Sequence, residues 1–133
     1  MSNASETPAP MDARFAAEGA FAQFLLRRRR RREEMLGKEH FADPVWDMML
    51  DLFAARTRGE EVAVSSLIIA AGVPQSTALR HMRVLVQKAM LVTRDDPRDG
   101  RRTFIGLSDD LFERVGQFLR QSMAAGHEFW AED

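Results

Sequence analysis

Polar and cationic side chains collect along one side of a helix that the sequence predicts from residue 75 to about residue 88, here called the recognition helix. Arg80 can form two hydrogen bonds with guanine, and Val84 can contact the methyl group of thymine. Hydroxyl groups near the start of the helix can hold phosphate. The full side comprises Thr77, Arg80, His81, Val84 and Lys88, flanked by Ser76 and Gln87. These residue types suit DNA recognition, although a plain amphipathic helix with a solvated face shows the same pattern.

A second cationic group follows at residues 94–102, where four arginines alternate with aspartates. Pro97 and Gly100 favour a tight turn there. A narrow minor groove attracts arginine because its negative potential is concentrated. The candidate contacts at this turn are Arg98, Asp99, Arg101 and Arg102, with a carboxylate–guanidinium pair expected between Asp99 and Arg101. Several arginines on one tip favour the DNA-binding interpretation of the preceding helix.

The elements that position these groups are predicted as a helix, a turn, the recognition helix and a hairpin. The first helix is expected at residues 65–71, capped by Ser65 or Ser66, and Gly72 and Pro74 suit the turn that follows it. Apolar runs at residues 91–92 and 103–107 supply the two strands of the hairpin, here called the wing. The buried side of the recognition helix is expected to comprise Leu79, Met82, Val86 and Met90, flanked by Ala78, Leu85 and Ala89.

Upstream of this unit, Asp43 can cap a helix whose first residue is Pro44. Residues 61–64 can form a short first strand. The expected core face of the upstream helix comprises Val45, Met48, Met49, Leu52 and Phe53, with Trp46 beside it. The chain is therefore predicted to be mainly α with a small β-hairpin: a winged helix-turn-helix domain over residues 43–108 with a long helix added at its N-terminus.

Two segments, residues 74–81 (PQSTALRH) and 96–102 (DPRDGRR), followed by Leu107-Ser108, resemble the winged helix of MarR-type transcriptional regulators. The resemblance runs without a gap from residue 65 to residue 108. It implies that Arg101 enters the minor groove beside Asp99, and that Ser108 caps the last helix. It also implies a homodimer on an inverted-repeat operator, commonly a repressor released by a small-molecule effector, whose identity here is unknown.

Two departures from the family pattern affect what the resemblance implies. Ala89 stands where the family usually has a glycine at the end of the recognition helix. The C-terminal region, residues 109–133, offers one helix at 110–125 and a stub at 126–133, so the usual second helix is missing or vestigial. Any dimer is then expected to depend on the N-terminal helix, and the usual ligand cleft is in question.

The N-terminal helix is predicted over residues 11–37, after a flexible tail at residues 1–10. Phe15, Gly19, Ala22 and Leu26 recur at spacings of three and four, and Phe21, Phe24 and Leu25 widen this apolar face. The face must be covered by the rest of the domain or by a second subunit. We favour the second subunit, which makes this helix the expected dimer interface.

Six consecutive arginines, residues 27–32, occupy the second half of the N-terminal helix and are followed by Glu33-Glu34. Arg29 and Arg30 can pair with these glutamates at a spacing of four residues. The run is either a solvated, partly self-paired helix end or a clamp for DNA phosphates. Under the second interpretation the candidate phosphate contacts are Arg29, Arg30 and Lys88.

The net charge of −1 hides an uneven distribution. Residues 27–102 carry sixteen basic and eleven acidic groups, whereas both flanks are acidic. Because the local field governs attraction to phosphates, the central basic segment fits double-stranded DNA as the partner.

Composition argues against several other classes. The chain contains no cysteine, so disulfides and thiolate zinc sites are excluded, and a reducing cytoplasm is expected. No apolar run could span a membrane, and no secretory signal is visible. With three histidines and no glycine-rich phosphate loop, neither an enzyme nor a cofactor nor a metal site is expected. The alternative is a winged-helix protein-interaction module without specific DNA binding, in which acidic neighbours would neutralise Arg80 and Arg101.

Overall fold

The computed structural model describes residues 12–131, so the expected tail at residues 1–10 lies outside them. After a 3₁₀ turn at Ala13–Phe15, the helices are α1 (Ala16–Leu36), α2 (Pro44–Thr57), α3 (Val64–Ala71), α4 (Gln75–Gln87) and α5 (Asp109–Ala131). Strands β1 (Val62–Ala63), β2 (Leu91–Asp96) and β3 (Asp99–Leu107) form an antiparallel sheet in the order β1-β3-β2. The helix pair α3–α4 followed by the β2–β3 wing confirms the predicted winged helix-turn-helix fold.

Helix α2 forms the centre of the core. It begins as predicted, because the Trp46 backbone N–H donates to Asp43 Oδ1 at 3.3 Å and Pro44 is its first residue. Its burial extends around the helix beyond the predicted face, because α1, α3 and α5 all pack against it. The buried apolar residues are Met48, Met49, Leu50, Leu52, Phe53, Ala54 and Ala55.

Helix α1 packs against α2 and α5 of its own chain. The Phe15 ring lies 5.9 Å from Phe53 and 5.5 Å from Phe112, measured between ring centroids. The turn before α1 approaches α5 closely, since a Cβ at Gly116 would lie 2.6 Å from the Phe15 ring. The chain itself therefore covers Phe15 and Ala22, where the sequence favoured a second subunit, and Phe24 remains 46% exposed.

Three predicted boundaries need correction. Helix α3 begins at Val64 with Ala63 as its N-cap, and neither Ser65 nor Ser66 caps it. The two strands extend further into the predicted turn than the apolar runs do. Helix α5 continues through Gly126 where a stub was expected; an interior glycine weakens a helix by about 1 kcal/mol but does not by itself end it.

The residues expected to cap α5 and to follow the end of α4 are Ser108 and Ala89. Ser108 Oγ accepts a hydrogen bond from the Leu111 backbone N–H at 3.1 Å and so caps α5. Ala89, just after α4, has a φ of 58° and is left-handed. Such a conformation costs an L-residue with a Cβ roughly 1–2 kcal/mol, so the end of the recognition helix is strained.

We expect Ala89→Gly to raise the free energy of unfolding by about 1 kcal/mol, because glycine adopts positive φ without the Cβ clash. Urea denaturation followed by circular dichroism measures the change. Ala20→Gly is the matched control: Ala20 is exposed within α1, and glycine there should lower the free energy of unfolding by about 1 kcal/mol. A loss of stability in both variants would contradict strain at Ala89.

Candidate nucleic-acid interface

The exposed side of α4 carries most of the predicted recognition residues. Ser76, Arg80, Val84 and Gln87 are exposed, as is Lys88 just after the helix, and Thr77 and His81 are half-buried. The opposite side packs into the core through Ala78, Met82 and Leu85. Val86, predicted to be buried, is 37% exposed instead. The exposed arc is therefore rotated toward Val86 relative to the prediction.

This rotation adds Arg83 to the exposed face, a residue that the sequence prediction omitted. Arg83 follows Ser76 by seven positions and Arg80 by three, so the three side chains share one face of α4. The spacing alone could have identified it. It was missed because the predicted face was centred on Thr77, Arg80 and Val84.

Arg80 and Arg83 share an electrostatic property. Within residues 12–131, no carboxylate pairs with either guanidinium group. Exposed arginines on other elements do have partners: Arg58 binds Glu60 at 2.8 Å, and Arg114 binds Asp110 at 2.7 Å. The recognition helix therefore presents two positive charges that the described part of the chain does not neutralise.

The wing is a tighter hairpin than the sequence predicted. Asp95 pairs with Thr103 and Asp96 pairs with Asp99, which leaves Pro97 and Arg98 as the turn. A register shift between Asp95 and Asp96 leaves residues 100–102 of β3 as a bulge. Asp96 Oδ1 accepts from the Arg98 backbone N–H at 2.9 Å. The expected pair is present: Asp99 Oδ1 accepts from the Arg101 backbone N–H at 3.1 Å and from its Nε at 3.2 Å. The Arg101 side chain is nevertheless 93% exposed, so its guanidinium still faces solvent.

The base of the wing holds its aromatic residue between cations. The guanidinium carbons of Arg94 and Arg102 lie 5.0 and 5.1 Å from the centroid of the Phe104 ring. Arg94 also forms an ion pair with Glu61, which precedes β1. Arg102 is exposed, as predicted for a DNA contact, but its guanidinium rests over this ring.

A hollow of about 640 Å³ separates the start of the recognition helix from the wing. Ser65 and Ser66 of α3 line one wall, together with Gln75 at the beginning of α4. Arg101 and Arg102 of β3 line the other. The hollow therefore lies between the first turns of α4, at Gln75 and Leu79, and Arg101 and Arg102 of the wing.

The structure corrects the assignment of Arg29 and Arg30 to phosphate. The Arg29 side chain is only 12% exposed, and its Nε donates to Asp47. Arg30 donates to Glu33 and to Asp47, both at 2.9 Å, and to the Ala70 carbonyl at 2.7 Å. Both guanidinium groups therefore have partners within the chain: they join α1 to α2, and Arg30, whose side chain is 36% exposed, also binds the end of α3.

Residues 12–131 contain neither a cluster of metal-ligand side chains nor a membrane-spanning helix. No group of three or more His, Asp or Glu side chains there could hold a metal ion. Among the helices of this range, none is both long enough and apolar enough to cross a bilayer.

Several solved structures share this fold. MepR of S. aureus in a DNA-binding conformation is 17% identical, with a TM-score of 0.54 over 87% of this chain and 85% of MepR. MepR in the S. aureus MepR–DNA complex is 17% identical, with a TM-score of 0.53 over 84% of this chain and 90% of MepR. The PcaV transcriptional regulator of Streptomyces coelicolor in complex with its natural ligand is 21% identical, with a TM-score of 0.50 over 92% of this chain and 82% of PcaV.

At these identities the likeness establishes the fold alone. MepR and PcaV are MarR-family regulators, so the winged-helix fold that the sequence resemblance implied is confirmed. No protein-family model matches the chain, and no curated protein matches it either.

Proposed function

We propose that this protein is a sequence-specific regulator of transcription that binds double-stranded DNA, and that it acts as a homodimeric repressor on an inverted-repeat operator. The observation that carries the proposal is the pair of unneutralised guanidinium groups, Arg80 and Arg83, on the exposed face of α4. The wing with its exposed Arg101 lies across one groove from that helix.

The two cationic elements match two different parts of a duplex. The major groove is about 12 Å wide and admits a helix, and arginine can bind both acceptors on the guanine edge. The narrower minor groove admits a thin hairpin and attracts arginine. A helix and a wing on either side of one hollow can therefore contact adjacent grooves together.

The comparisons support this proposal without deciding it. One of the similar structures is described as a complex of MepR with DNA, and PcaV is described as a transcriptional regulator. Both share the fold of this chain at low identity. The contacts that this chain makes with DNA must therefore be tested on its own residues.

The protein-interaction alternative predicts that acidic neighbours neutralise the exposed arginines. Asp99 does pair with Arg101, but that carboxylate also shapes the turn of the wing by accepting the Arg101 backbone N–H. Arg80 has no such partner within the described residues. The uncompensated charge on α4 favours a polyanion over a protein surface of mixed charge.

The homodimer is proposed because large apolar side chains of α1 and α5 remain exposed. Trp130 is 81% exposed near the end of α5, and Phe118, Phe129 and the α1 residue Phe24 are also exposed. Phe129 and Trp130 pack against each other, and exposed apolar surface of this kind commonly marks an interface. A second copy would bring a second recognition helix, as an inverted repeat requires.

Selection of duplexes from a random pool, followed by anisotropy titrations at several salt concentrations, tests the function. We expect an inverted repeat whose half-site centres lie about 10–10.5 base pairs apart, and a logarithmic affinity that falls linearly with the logarithm of salt. Light scattering of the complex should give two chains per duplex. Absence of salt-dependent binding to any duplex would refute the proposed function.

Arg80→Ala should weaken operator binding by about 1–3 kcal/mol and relax the preference at one base-pair position. Arg83→Ala should weaken binding through its charge, either at a second base or at a phosphate. Competition between operators substituted at single positions measures both effects. Arg114→Ala is the control, because Arg114 is an exposed arginine of α5 paired with Asp110. Equal losses in the Arg80 variant and the control would contradict a role for α4 in recognition.

A further inference from the structure

Phe104 is an aromatic residue of β3 that is not part of the hydrophobic core. The cluster of buried residues and the side chains packed against it do not include Phe104. Its neighbours are guanidinium groups instead: Arg94 lies opposite it on β2, and Arg102 precedes it by two positions on β3. Their distances to the ring centroid, 5.0 and 5.1 Å, are within the range of cation–π attraction.

One of these guanidinium groups is fastened to the body of the domain. Arg94 forms an ion pair with Glu61, and the residue that pairs with Phe104 on the other side is Ala63 of β1. The side chains of Glu61, Arg94, Phe104 and Arg102 thus form one continuous series of contacts, here called the wing clamp. It runs from the segment before β1 to the exposed arginines of the wing.

A two-stranded hairpin needs such support, because it is at best marginally stable in water without a third strand or an apolar face. β1 pairs with β3 only at Phe104 and Ile105, so the wing from Asp95 to Thr103 extends beyond the third strand. The long side chain of Arg102 would rotate freely there without a surface to lie on. An aromatic face restricts a guanidinium while leaving its N–H groups available to a ligand.

We propose that Phe104 is a positioning residue for DNA binding, which orders the wing in the free protein and directs Arg102 toward the duplex. The effect of Phe104 on DNA binding rests on the proposed function. The ordering of the wing is a property of the free protein. Phe104 itself does not contact DNA. It acts through Arg102 and through the ion pair of Arg94 with Glu61.

Hydrogen exchange of wing amides in the free protein tests the ordering. Phe104→Leu keeps an apolar side chain but removes the ring, and it should speed exchange of the cross-strand amides between Asp95 and Thr103 about tenfold. Phe104→Trp and Phe104→Tyr retain a π face and should restore slow exchange. Unchanged exchange in Phe104→Leu overturns the inference, as does failure of both aromatic variants to restore protection.

Phe41→Leu is the matched control for the loss of a ring. Phe41 lies outside the wing, in the segment between α1 and α2, and the Arg32 guanidinium carbon is 5.7 Å from its ring centroid. The same substitution there removes an arginine–phenylalanine contact of the same kind. Hydrogen exchange of the wing amides should not change in this variant. A change would show that the exchange rates report general loosening of the protein and not loss of the wing clamp.

A double-mutant cycle tests whether Phe104 acts through Arg102. Phe104→Leu should weaken binding to the selected operator about five- to tenfold in the wild-type background, and by less than half of that factor when Arg102→Ala is already present. Equal factors in both backgrounds overturn the link to Arg102. If wild-type protein binds no duplex, the proposed function fails, whereas the exchange experiment still decides whether the clamp orders the wing.

Discussion

Replacing Asp47 by alanine should lower the free energy of unfolding by about 3–5 kcal/mol, because the change leaves a buried cation without its partner. Asp47 is fully buried on α2 and accepts from both Arg29 and Arg30 of α1. Arg29 is the more dependent of the two. Its Nη2 is already buried without a hydrogen-bond partner among the described residues, so it has no second acceptor to replace the lost carboxylate.

Urea denaturation of Asp47→Ala against wild type measures this effect. The control is Asp110→Ala, which removes a carboxylate from an exposed pair with Arg114 and should cost at most about 1 kcal/mol. A further variant, Asp47→Leu with Arg29→Met, Arg30→Met and Glu33→Met, replaces the buried ions by apolar groups, because Glu33 is also buried and paired with Arg30. It should recover most of the stability. Similar losses for Asp47→Ala and Asp110→Ala would contradict the buried pair as a determinant of stability.

Replacing Arg80 and Arg101 together by alanine should weaken operator binding by about 2–6 kcal/mol, since each contributes about 1–3 kcal/mol and they lie on separate elements. Arg80 is on α4 and Arg101 is on the wing, so the double variant removes a charge from each proposed groove contact. The salt dependence should also become shallower, because fewer phosphate counterions are released. Anisotropy titrations at several salt concentrations measure both quantities.

The matched control removes two exposed arginines that belong neither to α4 nor to the wing. Arg58→Ala with Arg114→Ala changes the net charge by the same amount, and each of these arginines is paired with a nearby carboxylate. We expect affinity and salt slope to change little. If the control loses as much affinity as the Arg80/Arg101 variant, binding depends on total charge and the proposed contacts are wrong.

The recognition helix and the wing could be predicted because their signals are local. The turn at Gly72 and Pro74, the apolar spacing of α4 and the arginines near Pro97 all lie within one continuous segment. Local patterns of this kind determine element type well. They leave the rotation of α4 about its axis less certain, and for this reason Arg83 was omitted from the predicted face.

The role of Asp47 could not be predicted, because its partners are remote in the sequence. A carboxylate next to Trp46 and Met48 predicts an exposed position on an otherwise apolar helix. Only the packing of α1 against α2 brings Arg29 to it across eighteen positions of sequence separation. The same packing engages the guanidinium groups of Arg29 and Arg30 in ion pairs with Asp47, which no rule of helical spacing could show.

The length of the wing was underestimated for a different reason. Strand pairing at Asp95, Asp96 and Asp99 is formed by residues with low β-propensity. Both faces of the hairpin are solvated there, so no apolar alternation marks the strands. The wing clamp was likewise invisible, since Glu61, Arg94 and Phe104 meet only after β1 joins the sheet.

Helix α5 has a geometric consequence that follows from its unbroken length. Leu119 is its last core residue, and residues 120–131 extend about 18 Å beyond it. Tilting this rod by about 10° at Leu119 carries its far end sideways by about 3 Å. A small change of tilt where α5 leaves the core is therefore amplified at Phe129 and Trp130, the exposed aromatic residues near its end.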